Sequence, residues 1–436
     1  MANQLWLSRC QTPSASTAVY WPPTGGPTIG EPNSGTEANV SGIVSANGGT
    51  LKSMYVRLTV APGGAANRLV RVVVNGTPSG VLTLTISAGD TTGTVTGNVS
   101  LVAGDTISVE TTPSGTPAAS DVFVSLEYQP TTANYFLYPQ AWGYGGQPSS
   151  LSVTFTPALN TGIIATGVIN SLADVAPFAC TVREIYIKLS VAPGADKSRT
   201  FAFCIAGAEQ GSTFPISGTD TVSNNTGLAI AVAAGDRLTL TNTPTNTPAA
   251  TRVKTSLVLE PTTPGLCALV MSSALSISNI SGNNFLQPVG SADNFTNPLN
   301  ATEANVQMPI PLACTLSAIY GSMQTSVNTG AETLTITARK NGVATSLAAT
   351  FNSGNGTLVT DTGTDSFIAG DLLSWLITSA ESTGDMDNWS FGLAAQVAGK
   401  SSRGGPGKGG KPGGGPIRAG RGGRWRTSRE SPGSLD

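Results

Sequence analysis

Side chains that could carry out catalysis are scarce in this sequence. The 436-residue chain contains no histidine, which removes the usual general base, Ser-His-Asp and Cys-His arrangements, and most catalytic zinc sites. It has no P-loop or HExxH motif, and the glycines of AWGYGGQP (141–148) lack the lysine of a phosphate-binding loop. Paired carboxylates could still hydrolyse a glycoside, but the few acidic residues fall mostly in turns, as Asp90, Asp220 and Asp361 do. We therefore expect a non-enzymatic protein without catalytic or cofactor-binding residues.

The five cysteines are scattered along the chain. An odd number without close spacing argues against a disulfide framework and against a CxxC zinc site. Cys180 and Cys314 occupy matching places in two similar segments, where a third such segment has Gly49. Free cysteine is among the most buried residue types, so these positions are predicted to hold small buried side chains.

Three aspartates recur in similar contexts: Asp105 in VAGDTISVETTP (102–113), Asp236 in AAGDRLTLTNTP (233–244) and Asp371 in IAGDLLSWLITS (368–379). A calcium site needs six to eight oxygen ligands, whereas the Ala-Gly-Asp turn in each of these stretches offers a single carboxylate. Glycine can adopt positive φ and aspartate can bond its own backbone. The motif is therefore predicted to be a turn that leads into a core strand, and no metal site is predicted.

These stretches belong to a longer repeat. TLKSMYVRLTVAPGG from Thr50 matches TVREIYIKLSVAPGA from Thr181 at an offset of 131, and CTLSAIYGSM from Cys314 begins a more diverged third copy. Agreement over a whole period indicates tandem duplication. We expect three modules with equivalent tyrosines and a separate tail: module 1 (1–132, Tyr55), module 2 (133–263, Tyr186), module 3 (264–399, Tyr320) and a tail (400–436).

Each module is predicted to be a β-sandwich. Charged residues make up only 11% of the chain, while Gly, Pro, Thr, Ser and Asn are abundant, a mixture that suits strands joined by many turns. About eight short strands per module, with turn signals such as Asn75-Gly76 between them, favour a jelly roll. The fold class is thus all-β, three tandem jelly-roll-like sandwiches followed by a disordered basic tail. Whether the modules stack or form a ring stays open at this stage.

The tail differs sharply from the modules in charge. Residues 400–436 carry nine Lys or Arg against two acidic residues, a net charge of +7, which leaves 14 basic and 23 acidic residues in 1–399. Such a Gly-rich segment is predicted to be disordered. It could bind nucleic acid, bind an acidic protein partner, or act as a plain solubilising tail. Its candidate contact residues are Lys400, Arg403, Lys408, Lys411, Arg418, Arg421, Arg424, Trp425, Arg426 and Arg429.

The pattern VRVVVNG…LTLTIS…AAGD resembles modules of tailed-bacteriophage virion proteins of the capsid-decoration, head-fibre and tail-fibre types, some of which have a C1q/TNF-like sandwich. The resemblance implies a structural virion protein, assembled in the host cytoplasm, that forms homotrimers and docks on a major capsid or tail protein with the basic tail as an anchoring arm. The N-terminus has no secretory signal pattern and no segment is apolar enough for a membrane span, so no membrane partner is expected.

Two alternatives stay open. The first is a receptor- or glycan-binding adhesin, with Trp142, Tyr144, Trp375 and Trp389 as contact candidates, although aromatic side chains more often fill cores. The second is a coat protein whose tail contacts packaged nucleic acid.

Overall fold

The chain folds into paired β-sheets. A computed structural model describes residues 3–25, 35–44, 47–141, 148–159, 165–166, 173–273, 277–280, 282–292, 299–323, 333–352, 358–379, 384–386 and 389–397. Within those ranges the regular structure consists of β-strands and two short 3₁₀ helices, Glu37–Asn39 and Glu303–Asn305, with no α-helix. The all-β prediction is confirmed.

Module 1 contains two facing sheets, each with four main strands. In each sheet, a strand from the N-terminal part of the module pairs with a strand from its C-terminal part, which is the arrangement of a jelly roll. The first sheet comprises β1 (Gln4–Cys10), β9 (Val122–Pro130), β4 (Gly49–Leu58) and β7 (Thr92–Leu101). The second comprises β2 (Val19–Trp21), β8 (Thr106–Ser114), β5 (Asn67–Val74) and β6 (Thr77–Ile86), with the short β3 (Gly42–Ile43) also paired to β8.

Module 2 repeats this arrangement with one interrupted edge strand. Its first sheet comprises β10 (Phe136–Ala141), β20 (Val253–Pro261), β14 (Cys180–Leu189) and, along β14, the two pieces β17 (Val222–Asn225) and β18 (Ile230–Val232). Its second sheet comprises β12 (Ala165–Thr166), β11 (Thr154–Pro157), β19 (Arg237–Thr245), β15 (Gly194–Ile205) and β16 (Ala208–Gly218), with β13 (Asp174–Val175) paired to β19.

Module 3 has the same core and a few additional short strands. One sheet comprises β24 (Gly290–Ala292), β21 (Leu266–Ser273), β32 (Ser390–Val397), β26 (Cys314–Ser322) and β29 (Leu358–Phe367). The other comprises β23 (Asn283–Leu286), β30 (Leu372–Ser379), β27 (Thr333–Lys340), β28 (Val343–Asn352) and β25 (Met308–Pro309). A separate pair joins β22 (Ile277–Ile280) to β31 (Gly384–Met386).

The predicted core strands lie where the sequence pattern indicates. The strand after each Ala-Gly-Asp turn buries its inward residues: Ile107 and Val109, Leu238 and Leu240, and Leu373 and Trp375 are each at most 1% exposed. Strands β8 and β19 run through Pro113 and Pro244, and each ends one residue later. Strand ends are the part of a strand that pattern reasoning locates least well.

The modules share their hydrophobic interior. One cluster of buried apolar side chains unites modules 2 and 3 with Leu5, Leu7 and Phe123 of module 1. Strand β1 is buried along its whole length, which a strand at the edge of an isolated sandwich would not be. Residues Met1–Gly399 accordingly form one compact unit. The tail and all ten of its candidate contact residues lie outside the described residues.

Candidate functional site: the seams between modules

Each module packs against the next through the same strands. The short strand β3 of module 1 lies against β10 and β20 of module 2, and β13 of module 2 lies against β21, β26 and β32 of module 3. The equivalent strand of module 3, β25, lies against β4 and β9 of module 1. The three modules therefore close into a ring, which settles the choice between ring and stack. We call the contacts seam 1–2, seam 2–3 and seam 3–1.

The repeated turns and the repeated tyrosines meet at these seams. The turn glycines Gly104, Gly235 and Gly370 have φ values of +85°, +88° and +94°, so the predicted positive-φ turn is confirmed in all three modules. Each glycine faces the tyrosine of the following module: a Cβ atom built on the glycine would lie 3.8 Å from the Tyr186 hydroxyl at Gly104, 3.7 Å from Cδ1 of Tyr320 at Gly235 and 4.0 Å from Cε2 of Tyr55 at Gly370.

Seam 1–2 buries a lysine. The Lys254 ammonium group donates a hydrogen bond to Ser41 Oγ of module 1, and the side chain is 8% exposed. The pKa of Lys254 is lowered to about 8, mainly by burial, while nearby Glu37 raises it and nearby Lys188 lowers it. Elsewhere along this seam, Trp6 Nε1 donates to the Leu137 carbonyl at 3.0 Å.

Seam 2–3 includes a hydrogen bond between two uncharged groups. The Val175 amide donates a 3.0 Å hydrogen bond to Ser390 Oγ. Gly392 lies close by, and a Cβ atom there would come within 2.9 Å of the Val175 carbonyl oxygen. Glycine at this position lets the two backbones approach.

Seam 3–1 depends on two arginines of module 1. Arg57 donates hydrogen bonds to the carbonyls of Ala304 (2.7 Å) and Gln307 (2.8 Å), and burial lowers its pKa. Arg9 donates to Gln287 Oε1 at 2.6 Å. Both guanidinium groups lie 5.5 Å from the ring centroid of Phe123, which is fully buried. The seam therefore combines charge-assisted hydrogen bonds with cation–π contacts.

A small cavity lies where the three modules begin. Its volume is about 10 Å³, which is room for roughly one water molecule. The residues around it come in pairs at equivalent module positions: Asn3 and Gln4, Asn134 and Tyr135, and Gly265 and Leu266. Equivalent residues from all three modules thus meet at one point, as expected of a closed ring.

The turn aspartates serve structure. Asp105 accepts hydrogen bonds from the Val102 amide (2.8 Å) and from Asn75 Nδ2 (2.7 Å). Asp371 does the same with the Ile368 amide and Asn341, at 2.8 and 2.7 Å. The predicted Asn-Gly hairpins thus hold the Ala-Gly-Asp turns. Among the described residues no group of three or more Cys, Asp or Glu side chains could hold a metal.

The prediction of small buried side chains at Cys180 and Cys314 is confirmed, and the other three cysteines are buried as well. Burial raises the pKa of Cys180 and of Cys314 to about 12, which disfavours the reactive thiolate. Module 1 needs glycine at the matching position because a Cβ atom on Gly49 would lie 2.5 Å from Cε2 of Tyr128. Leu259 takes the place of Tyr128 in module 2, and the smaller side chain leaves room for Cys180.

The aromatic contact candidates of the adhesin reading divide into two groups. Trp375 and Trp389 are each 1% exposed and belong to the core. Trp142 and Tyr144 lie outside the described residues. Within the described part of the chain, no helix has the length and apolar character needed to span a membrane.

Sequence reasoning missed two pairs of repeated polar residues. Arg68 and Arg199 are fully buried, and each holds two loops of its module by donating to their carbonyls, those of Ser14 and Ala118 or of Ser149 and Ala249. Glu37 and Glu303 begin the two 3₁₀ helices and accept from Ser108 and Ser374. The signals were an arginine repeated at offset 131 and the identical tetrapeptide TEAN at 36–39 and 302–305.

No protein-family model matches this chain, and no curated protein matches its sequence.

Proposed function

We propose that the protein is a non-enzymatic structural component of a virion, decorating a bacteriophage capsid as the single-chain counterpart of a trimeric subunit. The observation that carries this proposal is seam 3–1, because it closes three like modules into a ring. Most symmetric assemblies are built from equivalent units around an axis. A ring of three equivalent modules can engage three equivalent surfaces around a threefold position of a capsid.

The chemistry of the described residues supports a role in building. The turn aspartates Asp105 and Asp371 are occupied by hydrogen bonds, and the thiols are buried. With charged residues at only 11%, broad contacts with other proteins would cost little desolvation of ions.

In this proposal one chain takes the place of the homotrimer that the resemblance implies. The seams use, within one chain, the surfaces through which separate jelly rolls would otherwise assemble. The basic tail supplies the anchoring arm, because a segment with net charge +7 is attracted to an acidic partner surface.

Particles assembled without this chain provide the test. Incubated with the purified protein, they should gain one chain at each threefold position, visible by electron cryomicroscopy after symmetry expansion. The free protein should have the mass of one chain, 44.1 kDa, by light scattering. A free protein of three times that mass, or particles that bind none, would contradict the proposal. A chain lacking 400–436 should bind these particles more weakly. By light scattering it should still have the mass of a single chain.

A further inference from the structure

Seam 3–1 is the seam without a covalent linker. Residues 131–135 join module 1 to module 2, and 262–265 join module 2 to module 3. No such linker joins β32, the last strand of module 3, to β1, the first strand of module 1. Module 3 therefore holds module 1 through non-covalent contacts alone.

The two surfaces of this seam are complementary in kind. In the hydrogen bonds between described residues of this seam, module 1 supplies the donors, from Arg9, Arg57 and Ser125, and module 3 supplies the acceptors. The acceptors are Gln287 Oε1 and the carbonyls of Ala304, Gln307 and Pro309. An interface between two different surfaces of one chain is heterologous, so it can form within a chain or between chains.

The seam also has the imperfect polar packing of a subunit interface. Arg9 Nε and Gln287 Nε2 are buried and have no hydrogen-bond partner among the described residues. Buried polar atoms without partners are costly, and water can satisfy them when the seam opens. The burial that lowers the pKa of Arg57 is relieved at the same time. Opening this seam therefore costs less than opening an apolar core of the same size.

We propose that the same contact also forms between two copies of the chain, with module 3 of one copy seated on module 1 of another. Each exchanged seam keeps every contact of the closed ring. Within one chain the linkers give module 3 a high effective concentration near module 1, so closure dominates in dilute solution. At high protein concentration the exchanged form competes. Because the contact is heterologous, repeated exchange builds larger rings or an extended head-to-tail array.

Complementary seam variants test the exchange in the full-length chain. Arg57→Glu damages the module 1 surface by facing a carboxylate toward two carbonyls, and Gln287→Lys damages the module 3 surface by facing an ammonium group toward Arg9. Each variant retains the surface that the other lacks. Native mass spectrometry of an equimolar mixture should show a mixed dimer several-fold more abundant than either homodimer. The matched control is Arg71→Glu, since Arg71 pairs with Glu110 at 2.7 Å within module 1; it should give no excess of mixed dimer with Gln287→Lys.

The wild-type chain supplies a second measurement that does not depend on how the variants fold. Unlabelled and ¹⁵N-labelled protein, mixed at high concentration after a short exposure to moderate urea, should yield dimers of mixed isotope content that return to monomer on dilution. If the folded variants stay monomeric when mixed, and the wild-type populations give no mixed species, the proposal is wrong.

Discussion

Arg57 lies with its guanidinium group 5.5 Å from the ring centroid of Phe123, and the same group donates to the carbonyls of Ala304 and Gln307 in module 3. Phe123 thus supports, from inside module 1, the arginine that closes the ring. The same ring lies 5.5 Å from the guanidinium group of Arg9, the second arginine that contacts module 3.

Replacing that ring should weaken the seam beyond the loss of apolar volume. Phe123→Leu removes both cation–π contacts, which contribute about 0.5–2 kcal/mol each. The control is Phe201→Leu in module 2, an equally buried phenylalanine. Urea denaturation should show a free energy of unfolding about 1–4 kcal/mol lower for Phe123→Leu than for Phe201→Leu. If both variants lose the same free energy of unfolding, cation–π contacts do not stabilise this seam.

The turn at Gly104 should tolerate a side chain less well than an open turn does. Both Gly104 and Gly63 have positive φ, +85° and +77°, so valine at either position costs about 1–2 kcal/mol of backbone strain. Only Gly104 faces a neighbour, Tyr186, whereas a Cβ atom on Gly63 meets nothing within 4 Å. Thermal unfolding should therefore show a lower Tm for Gly104→Val than for Gly63→Val. Adding Tyr186→Ala should reduce this difference, and its failure to do so would mean that the steric contact is unimportant.

Gly49 and Tyr128 should show strong coupling. Gly49→Cys places a Cβ atom 2.5 Å from the tyrosine ring, and overpacking of this kind typically costs about 1–3 kcal/mol. The double variant Gly49→Cys with Tyr128→Leu recreates the pair found in module 2, Cys180 with Leu259. Its free energy of unfolding should exceed the additive expectation from the two single variants by about 1 kcal/mol or more. Additive losses would show that backbone atoms such as the Gln129 carbonyl control this site.

Lys254 should make stability depend on pH in the alkaline range. Its folded pKa of about 8 lies below the ordinary value of 10.5, so the folded state favours the neutral amine and the unfolded state binds the proton more tightly. The free energy of unfolding should therefore fall as pH decreases from about 10.5 to about 8, by up to about 1.4 kcal/mol per pH unit, and level off below. Comparing wild type with Lys254→Met by urea denaturation isolates this contribution from other groups that titrate there. A variant with an unchanged slope would show that Lys254 is not the group responsible.

Local sequence was sufficient for the strands and turns. Alternating apolar residues such as Ile107 and Val109 mark a buried strand face, and Ala-Gly-Asp and Asn-Gly specify turns through the conformations that glycine allows. The jelly-roll order also followed, because the number and spacing of these elements leave few ways to pair them. The burial of Cys180 could be inferred from its residue type alone.

The seams could not be read in the same way. Arg57 and Gln307 are 250 residues apart in sequence, and no local pattern marks Arg57 as a residue that crosses between modules. Likewise, nothing near Lys254 in sequence shows that it is buried against Ser41.

The sequence by itself determined three copies of one jelly roll, together with the turns that define them, because strand periodicity and turn conformation depend on neighbours a few residues apart. Only the tertiary structure decided that the copies close into a ring, which tyrosine meets which glycine, and which charges are buried. Those outcomes depend on the shape and desolvation of whole surfaces, which combine residues far apart in sequence.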